Sequence, residues 1–218
     1  YKRRFKMKYD YTKIRELFHI SEPEPLPEEQ ITEINNYFGA IPKALEDYYR
    51  LCGGCKDMNS AQDFLLTPDG HNLLKNWNCS EYCVFYTENQ CACDWAVKKS
   101  DLNKENPPVY ESYDEETWHK SADSVSQFLI SHAYFHAAFS FEYFNEEFYE
   151  ADKKQAEEIE KKFPSANADS ELYKFFQPYP DTVIALIYND DSFLVIYSSE
   201  NEEHFNETDD IICEILDI

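Results

Sequence analysis

The stretch of sequence that decides the fold runs from Tyr82 to Val97 and reads YCVFYTENQCACDWAV. Its first six residues are mostly aromatic or β-branched, a composition that favours a β-strand. The polar triplet Glu88-Asn89-Gln90 follows, and beyond it large side chains such as Trp95 alternate with small or polar ones. Two strand-forming segments joined by a short polar turn predict an antiparallel hairpin in which Trp95 is largely buried.

Short helices are predicted on the N-terminal side of this hairpin. Residues 12–19 form a short amphipathic pattern, which the proline-rich segment ending at Pro27 interrupts. Pro27 and Pro42 each suit the first turn of a new helix, because the N–H that proline lacks has no partner there. Gly39 and the pair Gly53-Gly54 are the predicted ends of these two helices.

On the C-terminal side of the hairpin, the sequence predicts an edge strand followed by two helices. Two consecutive prolines within residues 106–110 indicate an edge strand, because proline cannot donate to a central ladder. Apolar residues from Val125 to Phe139 recur at helical spacing behind Ser124, a suitable N-cap. Residues 141–163 are predicted to form a second long helix with a charged face.

The last part of the chain predicts a second hairpin and a short helix. Residues 182–188 and 193–197 are continuously apolar on either side of a polar turn, which is typical of central strands covered on both faces. A helix over residues 208–216 follows. The whole pattern predicts an α+β fold, with a mostly antiparallel sheet and helices packed around it in a single domain.

The charge of the chain narrows the classes of partner. Its 218 residues carry 43 acidic side chains and 20 Lys or Arg, a formal net charge of −23. Such a surface repels phosphate backbones and anionic headgroups, so neither nucleic acid nor a membrane is an expected partner. No segment approaches the roughly 18 apolar residues of a membrane helix, and no secretory signal is recognisable, so a cytoplasmic location is expected.

The basic residues gather at the start of the chain. Residues 1–26 are interpreted as a basic arm with a short helix, and residues 27–218 as the folded domain. Met7 is a candidate native start, with residues 1–6 as an upstream extension; alternatively, the arm is a tail that folds back on the acidic body. The basic side chains of the arm are Lys2, Arg3, Arg4, Lys6, Lys8, Lys13 and Arg15.

Cysteine and histidine spacing argues against a metal site. Cys52 and Cys55 have the gap of a zinc knuckle, but the other cysteines supply no second pair of that kind. His132 and His136 are four residues apart, without the glutamate of a zinc protease motif. Buried free thiols and packing histidines are expected instead, with no metal or cofactor. The cysteines are Cys52, Cys55, Cys79, Cys83, Cys91, Cys93 and Cys213.

Catalytic motifs are missing from the sequence, and an enzyme is therefore not predicted. The 4 glycines form no phosphate-binding loop, and no nucleophile elbow is present. Acidic residues cluster instead near residues 111–116 and 200–210, as either a solvated surface or a docking face for a basic partner. The candidate partner-binding residues are these acids and nearby aromatics: Tyr110, Glu111, Tyr113, Asp114, Glu115, Glu116, Trp118, Glu200, Glu202 and Glu203.

The order of short motifs along residues 27–140 resembles the SUKH superfamily of Smi/Knr-type proteins, with a weaker match in the C-terminal hairpin. Cys52 stands where the family usually has asparagine before its Gly-Gly pair. The motifs are Ile41-Pro42, Gly53-Gly54, Glu88-Asn89-Gln90, Trp95-Ala96-Val97, Pro107-Pro108-Val109-Tyr110, Trp118 and Val125-Ser126-Gln127-Phe128-Leu129.

This resemblance implies a SUKH-like α+β domain over residues 27–218, with a helix and hairpin extension from about residue 141. It also implies a non-enzymatic immunity protein of a bacterial polymorphic or contact-dependent toxin system, which binds and neutralises a toxin, commonly a nuclease. A basic nuclease would suit the acidic body of the chain. The alternatives are a general interaction or regulatory scaffold module of the same superfamily and, third, a metal-dependent enzyme. The residues expected to be structural are Gly53, Gly54, Glu88, Asn89, Gln90, Trp95, Pro108 and Val109.

Overall fold

The computed structural model describes residues 7–60, 62–69 and 81–218. The chain forms two compact units, divided between Leu129 and Ile130. The described strands make two antiparallel sheets of five strands each. The predicted α+β class with antiparallel strands is confirmed, although the strands belong to two sheets where one was expected. Cys79 and the basic residues Lys2, Arg3, Arg4 and Lys6 lie outside the described residues.

The first unit combines short helices with a sheet in the strand order β1-β2-β3-β4-β5. Its helices are α1 (Thr12–Leu17), α2 (Glu28–Phe38), α3 (Lys43–Leu51), α4 (Lys56–Asn59) and the beginning of α5 (Val125–Ser140). Its strands are β1 (Asp63–Leu65), β2 (Tyr82–Glu88), β3 (Asp94–Lys98), β4 (Val109–Ser112) and β5 (His119–Ala122).

Strands β2 and β3 form the hairpin predicted from the sequence. In the register, Tyr82 lies opposite Lys98 and Thr87 opposite Asp94. The carboxylate of Glu88 closes the turn, because its Oε2 accepts hydrogen bonds from the backbone N–H of Gln90 at 2.8 Å and of Ala92 at 3.1 Å. The side chain of Glu88 therefore stabilises the backbone of this turn.

Trp95 lies in the core of the first unit, as predicted. Its side chain is only 6 % exposed, and its ring centroid lies 6.1 Å from that of Tyr86 and 5.7 Å from that of Phe128. The indole Nε1 donates a hydrogen bond to Oε2 of Glu111 at 3.3 Å. The apolar body and the polar edge of the ring thus both have partners.

Strand β4 is central, and its prediction as an edge segment was wrong. It pairs with β3 on one side and with β5 on the other, and Val109, where it begins, is fully buried. Pro107 and Pro108 precede the strand, so the missing N–H groups fall outside the ladder. The carbonyl of Pro107 instead accepts a hydrogen bond from the N–H of Val125 at 2.9 Å, at the start of α5.

The Gly53-Gly54 pair allows two backbone segments to touch. A Cβ atom on Gly53 would lie 2.7 Å from the carbonyl oxygen of Tyr49, and one on Gly54 would lie 2.8 Å from that of Pro25. The N–H of Gly54 donates to the carbonyl of Glu24 at 2.7 Å. Only glycine fits here without a shift of the proline-rich segment, which supports the structural role expected for this pair.

The segment that follows Met7 is attached to α3 through a buried carboxylate. Asp47 is fully buried, and its Oδ2 accepts hydrogen bonds from the backbone N–H groups of Lys8 at 2.9 Å and Tyr9 at 3.1 Å. Lys43 places its Nζ 2.6 Å from the other carboxylate oxygen. The described end of the basic arm therefore folds back on the body through its backbone, and the Nζ of Lys8 also pairs with Glu105.

The second unit contains the end of α5, two further helices and the second sheet. The sheet has the order β6-β10-β9-β8, and β7 also pairs with β10. Its strands are β6 (Tyr143–Phe144), β7 (Tyr149–Ala151), β8 (Tyr173–Phe176), β9 (Thr182–Asn189) and β10 (Ser192–Ser199). Its helices are α6 (Lys153–Lys162) and α7 (Glu202–Leu216).

The prediction of one long helix over residues 141–163 was wrong. Helix α5 ends at Ser140, and the aromatic residues that follow it form β6 and β7 against β10. Helix α6 begins only after Asp152, whose side chain accepts a hydrogen bond from the N–H of Gln155, while the Gln155 side chain accepts one from the N–H of Asp152. This capping box fixes the start of α6 and leaves the segment before it extended.

Strands β9 and β10 are central and covered on both faces, as predicted. Ile184 and Tyr197 share one face, where they join the buried core formed with α6 and α7. On the other face, Ser198 Oγ donates to the carbonyl of Ala137 in α5 at 2.6 Å. No helix in the described part of the chain is long and apolar enough to cross a bilayer.

Candidate protein-binding surface

A cluster of aromatic rings lies on one face of the first sheet. Trp118 stacks on Tyr82 with the ring centroids 4.5 Å apart and the planes 12° from parallel. Tyr82 meets Tyr110 edge to face at 5.5 Å. The Nζ of Lys98 lies 4.5 Å from the centroid of the Tyr110 ring. All four side chains are partly exposed, and we call Tyr82, Lys98, Tyr110 and Trp118 the aromatic platform.

Strand register brings the platform together. Tyr82 lies directly opposite Lys98 across the β2–β3 pair, and Tyr110 lies opposite Ala96 across the β3–β4 pair. Because side chains two residues apart on a strand share a face, Ala96 and Lys98 point to the same side. The small side chain of Ala96 leaves room over β3 for the larger rings on either side.

The turn before β5 holds Trp118 and presents acidic side chains beside it. Oδ1 of Asp114 accepts hydrogen bonds from the backbone N–H of Glu116 at 2.9 Å and of Thr117 at 2.6 Å. These N–H groups stabilise the carboxylate and lower the pKa of Asp114 to about 2. The indole Nε1 of Trp118 donates to the carbonyl of Glu115 at 3.3 Å. Asp114 therefore organises the turn, in addition to contributing charge.

Glu115 and Glu116 are exposed at the side of the platform, as is Asp114. Within the described part of the chain, neither glutamate forms an ion pair. Glu111 differs from them, because it is half-buried and its Oε2 accepts a hydrogen bond from Ser121 Oγ at 2.8 Å as well as from Trp95. Successive residues of a strand point to opposite faces, so Glu111 lies on the face opposite Tyr110.

Tyr113 is the most exposed of the predicted aromatic residues, at 68 %. Its ring makes no aromatic contact with the rings of the platform. Tyr110 and Trp118 are thus brought together by the fold, whereas Tyr113 stands apart from them. Tyr82 and Lys98 belong to the cluster and were not among the predicted residues.

The second predicted acidic group lies in the other unit. Glu200 follows β10, while Glu202 and Glu203 occupy the first turn of α7, and all three are exposed. Asn201 caps this helix by accepting a hydrogen bond from the N–H of His204 at 3.1 Å. Acids in a first turn interact favourably with the helix dipole, so Glu202 and Glu203 have a local role in α7. Glu202 and Glu203 thus belong to a helix, and Glu200 to the short segment before it.

The described residues contain no group of three or more side chains suited to holding a metal ion. Cys52, Cys55, Cys83 and Cys93 are buried, Cys91 is exposed and Cys213 is intermediate. Burial raises the pKa of Cys52 and Cys93 to about 12, so these thiols are protonated at neutral pH. His132 and His136 are both buried, and burial lowers the pKa of His136 to about 3, which keeps its ring uncharged.

The chain has no match among protein-family models, curated proteins or solved structures. The SUKH resemblance therefore rests on the sequence motifs and remains a hypothesis. The surface itself has a definite chemistry: fixed, partly exposed aromatic rings with one lysine, next to acids without ion-pair partners among the described residues. At protein interfaces in general, aromatic residues contribute most of the affinity and rim charges mainly set the association rate.

Proposed function

We propose that this protein is a non-enzymatic immunity protein that binds and neutralises a basic protein toxin in the bacterial cytoplasm. The resemblance of its motif order to the SUKH superfamily supports the toxin as partner, and a nuclease is the toxin class that suits the charge. A protein of net charge −23 attracts a positively charged partner and repels the nucleic acid on which a nuclease acts.

The aromatic platform carries this proposal. Tyr and Trp are the residue types most enriched at binding hot spots, because they bury a large area at a small cost in side-chain entropy. Here Trp118 and Tyr110 are held in place by Tyr82 and by the β3–β4 register before a partner arrives. Such preorganisation reduces the ordering cost of association.

The acids beside the platform act at an earlier stage of binding. Glu115 and Glu116 are exposed, and exposed charges at the rim of an interface mainly accelerate encounter with an oppositely charged partner. Asp114 keeps this turn in shape through its hydrogen bonds to backbone N–H groups. The turn therefore presents two acids at a fixed position next to the aromatic rings.

The test uses the protein encoded by the neighbouring gene. Co-expression followed by co-purification should give a complex with a basic protein, and the complex should lack the nuclease activity of the free partner. Trp118→Ala and Tyr110→Ala should each weaken binding at least tenfold, which corresponds to about 1.4 kcal/mol. Tyr113→Ala, which removes a more exposed aromatic side chain away from the platform, is the control.

Three results would count against the proposal. An acidic partner would remove the electrostatic argument. Binding without inhibition would favour the alternative of a general interaction or regulatory scaffold module. Unchanged affinity in both platform variants, with a loss in Tyr113→Ala, would place the interface elsewhere on the first unit.

A further inference from the structure

A row of four aromatic rings crosses one side of the second unit. Successive centroids are 5.2 Å apart between Tyr173 and Phe135, 4.8 Å between Phe135 and Phe139, and 6.0 Å between Phe139 and Phe148. Phe135 and Phe139 belong to α5, and Phe148 lies just before β7. The side chain of Phe148 is 59 % exposed, and the other three rings are partly exposed.

Phe144 adds a fifth ring on the same side of the sheet. It lies opposite Ser198 in the β6–β10 register, and residues opposite each other on antiparallel strands share a face. The Ser198 hydroxyl donates a hydrogen bond to the carbonyl of Ala137 in α5, so α5 covers the face that Phe144 and Ser198 share. Phe144 is 50 % exposed, which makes the β6–β7 edge the most open part of the aromatic row.

The surroundings of this row are acidic. The sequence has no Lys or Arg between Lys120 and Lys153, and α5 contains no Asp, Glu, Lys or Arg. Lys174, in β8, pairs with Glu160 of α6 at 2.5 Å, on the opposite face of the sheet from Tyr173. The acids nearest in sequence to Phe144 and Phe148 are all exposed: Glu142, Glu146, Glu147 and Glu150.

We propose that the aromatic row and these four acids bind a cationic amphipathic segment of a partner protein. The apolar side chains of the segment would cover Phe139, Phe144 and Phe148, and its Lys or Arg side chains would face the acids. A second copy of this chain fits poorly, because it would bring acidic rims together. An anionic membrane surface is repelled for the same reason. This surface is independent of the aromatic platform and of the proposed toxin.

The probe is a fluorescently labelled synthetic helical peptide of 18 residues, made of leucine and lysine, with an apolar face and a cationic face. A second peptide of the same charge has serine at every leucine position. Fluorescence anisotropy at about 150 mM salt should show binding of the leucine peptide to the intact protein and at least tenfold weaker binding of the serine peptide.

Two exposed residues of the row and one matched control locate the binding. Phe144→Ser and Phe148→Ser should each weaken binding of the leucine peptide at least tenfold, with unchanged circular dichroism and Tm. The control is Tyr188→Ser, because Tyr188 has a similar exposure of 51 %. Tyr188 lies on the opposite face of the same sheet, the face that also carries Leu186 of the α6–α7 core. This substitution should leave binding unchanged.

Several results would overturn the proposal. No binding of the leucine peptide would do so, as would equal binding of the two peptides or an equal loss in Tyr188→Ser. Sedimentation analysis of the protein alone tests the competing occupant: a dimer that Phe148→Ser dissociates would show that the row is a contact between copies of this chain.

Discussion

At the scale of single residues, the indole of Trp95 is held through both its apolar and its polar sides. Tyr86 and Phe128 contact the ring, and the carboxylate of Glu111 accepts its N–H. Ser121 donates to the same carboxylate oxygen at 2.8 Å, so one acid connects β3, β4 and β5. Glu111, predicted from the sequence as a partner-binding residue, thus has a clear role inside the sheet.

Trp95→Ala should lower the free energy of unfolding by about 3–5 kcal/mol, because it leaves a cavity and removes the partner of a half-buried carboxylate. Urea unfolding followed by circular dichroism measures the change. Trp118→Ala is the matched control and should cost clearly less, since the Trp118 ring is partly exposed. Equal losses in the two variants would contradict the assignment of Trp95 to the core and of Trp118 to the surface.

Gly39 and Gly53 are each required for a different reason, and substitutions can distinguish the two reasons. Gly39 ends α2 with a φ of +86° and open space around its Cβ position, while a Cβ at Gly53 would meet the backbone of Tyr49. At Gly39, asparagine should be tolerated better than alanine, because asparagine adopts the left-handed conformation more readily. At Gly53, asparagine should be worse than alanine, because the obstacle there is volume. The free energies of unfolding of the alanine and asparagine variants at both sites test this prediction. If the same substitution were the better tolerated one at both sites, the prediction would be wrong.

At the scale of elements, the pairing of β1 with β2 places two carboxylates opposite each other. Asp63 faces Glu88 in the register and is only 4 % exposed. Burial, with a smaller contribution from the charge of Glu88, raises the pKa of Asp63 to about 7. In the unfolded chain this carboxyl has a pKa near 4. Between about pH 4 and pH 7 the folded protein therefore holds a proton that the unfolded chain has lost.

The proton bound to Asp63 therefore stabilises the folded state. This stabilisation is complete below about pH 4 and is lost as the pH rises through 7. Asp63→Asn removes this titration. The variant should have a higher free energy of unfolding than the original protein at pH 8, by about 1–3 kcal/mol, and should differ little from it near pH 4. Urea unfolding at both pH values gives the comparison. A gain of the same size at pH 4 and pH 8 would show that the Asp63 titration is not its cause.

Local signals were sufficient to predict some elements and insufficient for others. The β2–β3 hairpin and the β9–β10 hairpin followed from their apolar runs and polar turns. Residues 141–163 were misjudged because their aromatic and charged residues also fit a helical pattern, while pairing with β10 and the Asp152 cap decide the outcome. Pairing with distant strands cannot be read from a local pattern.

The aromatic platform was predicted only in part for a related reason. Tyr110 and Trp118 stood out as aromatic residues near acids, but Tyr82 and Lys98 join them through the register of the hairpin. Once Glu88-Asn89-Gln90 is taken as the turn, counting outward along both strands places Tyr82 opposite Ala96, which shares its face with Lys98. The alternation of strand faces would likewise have separated Tyr110 from Glu111.

At the scale of the whole molecule, the net charge of −23 governs how a basic partner approaches. Glu115→Lys combined with Glu116→Lys should slow association with the proposed partner and weaken its dependence on salt between about 50 and 500 mM, where screening changes strongly. Asp114 stays unchanged, because it holds the turn. Stopped-flow or surface-based kinetics measures the association rate.

The matched control for this experiment changes the same charge elsewhere. Asp210→Lys combined with Glu214→Lys alters two exposed acids of α7 in the second unit. If steering depends on the acids beside the platform, this control should slow association less than the platform pair does. An equal effect of the two pairs would mean that only the total charge matters, and that the turn has no special place in recognition.

The attachment of the N-terminal segment has a consequence for proteolysis. Asp47 is buried, and the two amides that bind its Oδ2 belong to Lys8 and Tyr9, which contribute little to the hydrophobic core. Cleavage before Asp10 would take away residues 7–9, none of which belongs to the buried core, and yet leave a buried carboxylate without two of its hydrogen bonds. Loss of this short piece of backbone would therefore weaken α3 from within, far more than its size suggests.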